Sequence, residues 1–292
     1  MKTNLDCIYC IVRKADERYG KLESDNMKKI GFMKNVFSLI GASADDVTAP
    51  YLSKRVNDLL QNEFGVTDDY SMIKTKYNRI MANWEETIQN EIKKNDDPSL
   101  AALRYAMVGN FIDFASMDNI SPEKLKELIE SASNQNVDPV EYNTFCNELS
   151  GAKDLVYLLD NAGEIVFDKV FMKIIKAQFP NVRITAIVRG KPVFNDVTML
   201  DAKEVGLDKT VDVVENGTDI AGTQLDMISE DAKRAIERAD IIISKGQGNF
   251  ETLYGCGKNI YYIVLCKCDL FVRRFGTPRF SGVFVNENRL KF

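Results

Sequence analysis

Apolar positions along the chain follow two different rhythms. Through about residue 150 they recur at intervals of three and four. Leu52, Val56, Leu59 and Leu60 do so in one stretch; Ile73, Tyr77, Ile80, Met81, Trp84, Ile88 and Ile92 do so in the next. This spacing places each set on one face of an amphipathic helix. Asp97-Pro98, Ser121-Pro122 and Asp138-Pro139 mark helix starts. Each pairs a capping side chain with a proline, whose missing N–H is not needed in the first turn. Glu141 follows Asp138 at capping-box spacing, and Gly151 is placed to end that helix. Residues 1–150 therefore read as an α-helical bundle or cap domain.

From residue 151 to 292 the pattern changes to short apolar runs. They cover Leu155–Leu159, Ile184–Val188, Val211–Val214, Asp240–Ile243, Ile260–Leu265 and Gly282–Val285. Amphipathic stretches separate several of them, notably Ile165–Gln178 and Met227–Arg238. β-branched runs alternating with helices predict a doubly wound α/β domain with a mainly parallel sheet covered on both faces. Ligands of such a domain bind beyond the carboxyl ends of the strands.

Polar, glycine-bearing loops are predicted after three of these runs: Asp160-Asn161-Ala162-Gly163-Glu164, then Arg189-Gly190-Lys191-Pro192-Val193-Phe194-Asn195-Asp196, then Lys245-Gly246-Gln247-Gly248-Asn249. They offer oxygen ligands, cations, and glycines at Gly246 and Gly248 that let backbone N–H groups approach an anion. Each has an ordinary alternative. Asp160-Asn161 and Asn195-Asp196 could cap the helices that follow them, and Lys245 could be a solvated turn lysine. Three such segments at one edge of a sheet favour a site.

Composition narrows the chemistry. The 292 residues contain no histidine. Ser-His-Asp and Cys-His catalysis and the HExxH zinc site are thereby excluded. Oxygen ligands suit Mg²⁺ or Mn²⁺. Arg189, Lys191 and Lys245 would complement a phosphate, so metal-assisted phosphoryl transfer is the natural reaction class. No GxxxxGK[ST] string is present, and no GxGxxG follows the first strand, which disfavours an ATP P-loop and an NAD site. A net charge of −5 makes a nucleic-acid partner unexpected. No apolar run is long enough to span a membrane, and no secretory signal opens the chain, so a cytoplasmic location is expected.

Six cysteines are present. Cys7 and Cys10 lie on one face of a predicted helix. With Cys266 and Cys268 they could form a thiolate metal site, or they could be reduced thiols packed in a core.

The string Asp160-Asn161-Ala162-Gly163-Glu164-Ile165-Val166-Phe167-Asp168 resembles the hallmark of the damage-control phosphatases, formerly "domain of unknown function 89". Arg189-Gly190-Lys191-Pro192 with Asn195-Asp196, and Lys245-Gly246-Gln247-Gly248-Asn249-Phe250-Glu251, are similar to the family's second and third motifs. Val108-Gly109-Asn110-Phe111-Ile112-Asp113 is similar to a further one. Cys7-Ile8-Tyr9-Cys10 and Lys267-Cys268 resemble the prokaryotic, cysteine-bearing branch. The resemblance spans nearly the whole chain. It implies a helical cap on a Rossmann-like domain and hydrolysis of small phosphometabolites, such as sugar phosphates or damaged cofactor fragments. It also implies a divalent metal (Mn²⁺, Co²⁺, Ni²⁺ or Mg²⁺) on Asp160, Asn161 and Asp196. Lys245, then Arg189, would bind phosphate, Asn110 and Asp113 would reach in from the cap, and Glu164 would orient the attacking water. Whether Asp160 is only a ligand or also a nucleophile stays open. So do two other readings: a protein that binds a phosphometabolite without turnover, and an S-adenosylmethionine-dependent carboxyl methyltransferase.

Overall fold

The structure, a computed structural model, describes residues 1–65, 69–110, 127 and 130–290. Among them, six strands form one sheet: β1 Asp154–Leu158, β2 Arg183–Val188, β3 Asp212–Glu215, β4 Ile241–Lys245, β5 Ile260–Leu265 and β6 Gly282–Asn286. Their order is β3-β2-β1-β4-β5-β6. The first five run parallel and β6 is antiparallel to β5. Each apolar run singled out in the sequence forms a strand. The chain leaves β1 toward β2 on one side and returns to β4 on the other. The topological switch point, where open α/β sheets bind ligands, therefore lies between β1 and β4.

The central strands β1, β2, β4 and β5 read as near-continuous apolar runs because both of their faces are buried, and alternate residues supply two cores. Leu155, Tyr157, Ile184, Ile241, Ile243 and Tyr261 face one core. Helix α8 (Glu164–Gln178) packs there, together with α4 (Ser71–Ala82), α5 (Glu85–Lys93), α6 (Pro98–Gly109) and α7 (Pro139–Gly151). Val156, Leu158, Ile242, Ile260 and Tyr262 face the other, under α10 (Glu230–Arg238), α11 (Gly246–Leu253) and α12 (Asp269–Phe275). A short helix, α9 (Met199–Glu204), follows the β2 loop. The N-terminal helices α1 (Leu5–Leu22), α2 (Asn26–Gly41) and α3 (Ala49–Phe64) enclose a third core around Tyr19, Phe32, Val36, Leu52 and Leu60. Helix α3 rests on α11.

Four local expectations are corrected. The face running from Ile73 to Ile92 belongs to two helices, because the chain breaks at Asn83-Trp84, where Trp84 N bonds Met81 O at 3.0 Å in a tightened turn. The break places Glu85 in the first turn of α5, where it meets Lys169 and Lys173 of α8 at 2.7 and 2.8 Å. The box expected between Asp138 and Glu141 is replaced by a longer-range tie. Asp138 caps Val140 N, while Glu141 holds Arg289 at 2.5 Å. Residues Met227–Ser229 precede α10 rather than joining it, with Ser229 as its N-cap. Lys245-Gly246-Gln247-Gly248-Asn249 is not a loop, since α11 starts at Gly246 directly after β4. Ser121-Pro122 lies outside the described residues.

Candidate metal and phosphate site

The segments after β1, β2 and β4 meet above the switch point. Two of them are joined by backbone hydrogen bonds: Val197 N donates to Asp160 O at 2.8 Å, and Ala162 N to Asn195 O at 2.9 Å. Asn161 and Asp196 form an isolated antiparallel bridge between these bonds. This short ladder ties the two acid-bearing segments to each other. The third segment approaches through Gly246, which turns strand into helix at φ 79. A Cβ there would lie 2.0 Å from Asp160 Oδ2. Only glycine leaves room for that carboxylate. Similarly, the space beside Gly248 is filled by the carbonyl of Ala221, which a Cβ would meet at 2.0 Å.

Arg189, buried at the end of β2, binds the two acids together. Its Nε donates to Asp196 Oδ2 at 2.7 Å, and its Nη2 lies 3.7 Å from Asp160 Oδ1. The two carboxylates thus share one guanidinium. Nη1 donates to Asn249 Oδ1 at 3.1 Å. Nη2 is buried with no hydrogen-bond partner, as is Asn195 Nδ2. Such orphan donors are uncommon in folded proteins. Lys191, by contrast, is exposed.

Glu164 opens α8 and is fully enclosed. Asn161 Nδ2 donates to its Oε2 at 3.0 Å and Asn110 Nδ2 to its Oε1 at 3.1 Å. Asn161 Nδ2 also donates to Asp160 Oδ2 at 2.7 Å, so the amide nitrogen is committed and its oxygen is left for a cation. Asn110 Oδ1 is buried without a partner. Asp113 lies outside the described residues.

Lys245 is not a solvated turn lysine, because it is completely buried. Its Nζ lies 2.5 Å from Glu164 Oε1, 2.6 Å from Asp168 Oδ1 and 2.7 Å from Ala106 O. An ammonium has three protons, and three acceptors surround this one. Tyr157 OH donates to Asp168 Oδ1 at 2.7 Å.

The charges in this cluster strain one another. Burial, then Asp196 and Glu164, push the Asp160 carboxyl well above its ordinary range, against the pull of Arg189 and Lys267. Burial also raises Asp168 to about 7 in spite of Lys245. Burial works against a charged Lys245, but Asp168 and Glu164 outweigh it and hold the ammonium protonated.

Helix capping does not account for the acids. Gly163 occupies the N-cap of α8 with no side-chain bond, and α9 is capped by a Thr198–Asp201 box. Asp160, Asn161 and Asp196 are therefore spared that work. Among the described residues, no three Cys, Asp or Glu side chains are gathered to hold an ion. The donor set that fits a metal is two carboxylates and one amide oxygen, all hard ligands. The same finding leaves the cysteines without a thiolate cage among the described residues. All six are free, and Cys7 and Cys268 pack against the second core.

Residues 3–283 match the "Damage-control phosphatase ARMT1-like domain" family. The chain belongs to this family. It is 30% identical to an uncharacterized protein of Methanocaldococcus jannaschii over 94% of this chain and 92% of that one. It is 31% identical to a damage-control phosphatase of Archaeoglobus fulgidus over 77% and 78% of the two chains. A solved Pyrococcus horikoshii protein, described as a DUF89 family member, superimposes with a TM-score of 0.81 at 27% identity, covering 98% of this chain and 99% of that one.

In this damage-control phosphatase family member, three residues missed in the sequence help build the site. Asp168 and Asn249 lie inside the quoted motifs, four residues after Glu164 and Lys245, and so share a helix face or turn with them. Asn249 Nδ2 donates to Leu159 O at 3.1 Å and to Lys245 O at 2.8 Å. Asn78 comes from α4. Gly163 N donates to its Oδ1 at 2.7 Å, and its Nδ2 donates to Asp201 Oδ1 at 3.0 Å, so one amide joins the β1 segment to α9. Two polar residues one turn apart on the buried face of α4, Lys74 and Asn78, were the available signal.

Proposed function

We propose that the protein is a divalent-cation-dependent phosphomonoesterase that hydrolyses small phosphorylated metabolites. One observation carries this reading: two unmet needs lie side by side. Among the described residues, Asp160, Asp196, Glu164 and Asp168 stand around two buried cations, Arg189 and Lys245, with Lys267 also drawing on Asp160, so carboxyls outnumber the cations beside them. Beside them, the buried donors Arg189 Nη2 and Asn195 Nδ2 have no acceptor. Buried charge and buried donors are both costly when unpaired. A divalent cation and a phosphate oxygen, arriving together, satisfy both.

In this reading Asp160, Asn161 and Asp196 hold the ion. Mn²⁺, Co²⁺, Ni²⁺ or Mg²⁺ would supply Lewis-acid polarisation of the phosphoryl group and a lowered water pKa. Arg189 Nη2 offsets charge building on the phosphoryl oxygens, as preorganised donors do. Glu164 orients the attacking water. Its carboxylate is fixed on three sides by Asn110, Asn161 and Lys245. In place of the direct phosphate contact expected for Lys245, this reading has it act through Glu164, holding that carboxylate in place at 2.5 Å. Lys245 is then a positioning residue.

The test is phosphate release from p-nitrophenyl phosphate with each of the four divalent ions, for wild type and Asp196→Asn. Metal-stimulated release that falls at least ~100-fold in the variant supports the reading, the usual scale for losing a group in this kind of chemistry. No release from any ester with any of the ions would sink it.

A further inference from the structure

Helix α4 touches both acid-bearing segments, and it does so along one face. Residues 70, 74 and 78 are spaced by four, so they stand above one another on the helix. Asn78 Oδ1 accepts from Gly163 N at 2.7 Å, in the segment after β1. Lys74 Nζ lies 2.6 Å from Asp201 Oδ2, in α9, into which the segment after β2 runs. Tyr70, the N-cap residue of α4, meets the ring of Phe194 edge-on, with centroids 6.3 Å apart. Phe194 lies two residues before Asp196. This face therefore reaches from one proposed ligand segment to the other.

The turn that carries Phe194 is strained. Asp196 N donates to Val193 O at 3.1 Å, which makes Phe194 the second residue of a four-residue turn, and its φ is 44. Glycine, asparagine and aspartate fill that position in turns with positive φ, and a bulky side chain there is an outlier. Among the described residues, Phe280 is the one other non-glycine residue with a positive φ. Strain of this kind persists where the surrounding structure holds it. The ring is what phenylalanine adds at this turn that asparagine would not, and the ring stands against Tyr70. Immediately beyond Phe194 the chain enters the short ladder with the β1 segment, where Asn195 O accepts from Ala162 N at 2.9 Å and Val197 N donates to Asp160 O at 2.8 Å. The setting of the turn thus sets where Asp196 stands relative to Asp160.

We propose that Tyr70 and Phe194 are positioning residues for the metal site: their ring contact holds the strained turn so that Asp196 stands beside Asp160 before an ion arrives. The inference rests on the metal-dependent reading above and adds to it a device in the helical half of the chain that sets ion affinity. Lys74 and Asn78 fix the rest of the same face to α9 and to the β1 segment, so α4 acts as a splint across the two segments. Ligands held in place in advance bind more tightly, because the cost of ordering them is met in folding.

The test is Mn²⁺ binding to the full chain by titration calorimetry, without substrate, at a temperature where thermal melting shows every variant folded. Phe194→Asn removes the ring and keeps a residue type that tolerates positive φ. Tyr70→Ala removes the ring's partner. Each is expected to weaken Mn²⁺ binding by about tenfold or more, the usual scale for losing a group that orients a metal ligand. Tyr70→Phe keeps the ring and should bind as wild type does. Because both changes break one contact, the double variant should bind about as weakly as the weaker single variant. Unchanged Mn²⁺ affinity in both folded single variants, or losses that multiply in the double variant, would overturn the assignment while leaving the metal site itself in place. A wild type that binds none of the four divalent ions removes the metal reading and this one with it. The measurement needs no turnover, so a protein that binds Mn²⁺ but releases no phosphate fails the phosphatase reading alone.

Discussion

Gly246→Ala isolates the contact on which the candidate site depends. The added Cβ would stand 2.0 Å from Asp160 Oδ2 and 2.3 Å from its Cγ. Real Cβ atoms essentially never approach a neighbour closer than 3.0 Å, so the carboxylate has to retreat by about 1 Å or rotate away. Misplacement of a reacting group by ~1 Å typically costs ~100-fold in rate. Because Asp160 is a proposed ligand, the metal concentration for half-activation should rise as well. The backbone contributes a separate cost. At φ 79 an alanine is strained, by ~1–2 kcal/mol, and ~1 kcal/mol in a chain of this size lowers Tm by ~2–4 °C. Gly206→Ala separates the two effects, since Gly206 has a φ of 69 and nothing within 4 Å of an added Cβ. It should show the loss in Tm with near wild-type activity. The assays are metal-titrated phosphate release and thermal melting on both variants. If Gly246→Ala keeps activity within threefold of wild type at an unchanged metal requirement, the close approach of Asp160 to α11 has no catalytic meaning.

Lys245→Met leaves Glu164 and Asp168 facing each other without the cation they share, and breaking a buried ion pair on one side costs ~3–5 kcal/mol. Urea unfolding should show that loss, and adding Asp168→Asn should recover part of it; a single variant within ~1 kcal/mol of wild type would contradict the network. Asp168 itself predicts a pH dependence. Its carboxyl is raised from 3.8 to about 7 in the fold, so the native state favours the protonated form. That contribution is whole below the unfolded value and is lost as pH rises through about 7. At ~1.4 kcal/mol per pKa unit the span is on the order of a few kcal/mol. Asp168→Asn should flatten the decline in unfolding free energy from pH 4 to pH 7.5; parallel curves for the two proteins would refute the assignment. Asn78→Ala strands Gly163 N–H and loosens α9, for a loss of ~1–3 kcal/mol and a raised metal requirement. An unchanged metal titration in that variant would reduce Asn78 to a structural role.

What the sequence disclosed and what it withheld divide along one physical line. The central strands β1, β2, β4 and β5, buried on both faces, have to be largely apolar, and the half-exposed edge strands β3 and β6 keep shorter apolar runs, so all six were legible, with ends displaced by only a residue or two. Polar groups at strand ends stand out against that background, which exposed Asp160, Asn161, Arg189 and Asp196. Helix boundaries were harder. The apolar spacing from Ile73 to Ile92 survives a break at Asn83-Trp84, because both helices turn their apolar faces to the same core. The environment of Lys245 was hardest of all, since its acceptors lie 77 to 139 residues away in the chain, and a lysine between glycines looks solvated. Even so, an indirect signal existed. Glu164 and Asp168 stand one turn apart in a helix whose residues from Glu164 to Met172 are all buried. Two carboxylates on an enclosed face require a cation from elsewhere in the fold. The motif lysine at the end of the neighbouring strand β4 is placed to supply it. A count of the charges that an enclosed helix has to neutralise therefore points to the partner of a motif lysine, where the composition around that lysine points only to the surface.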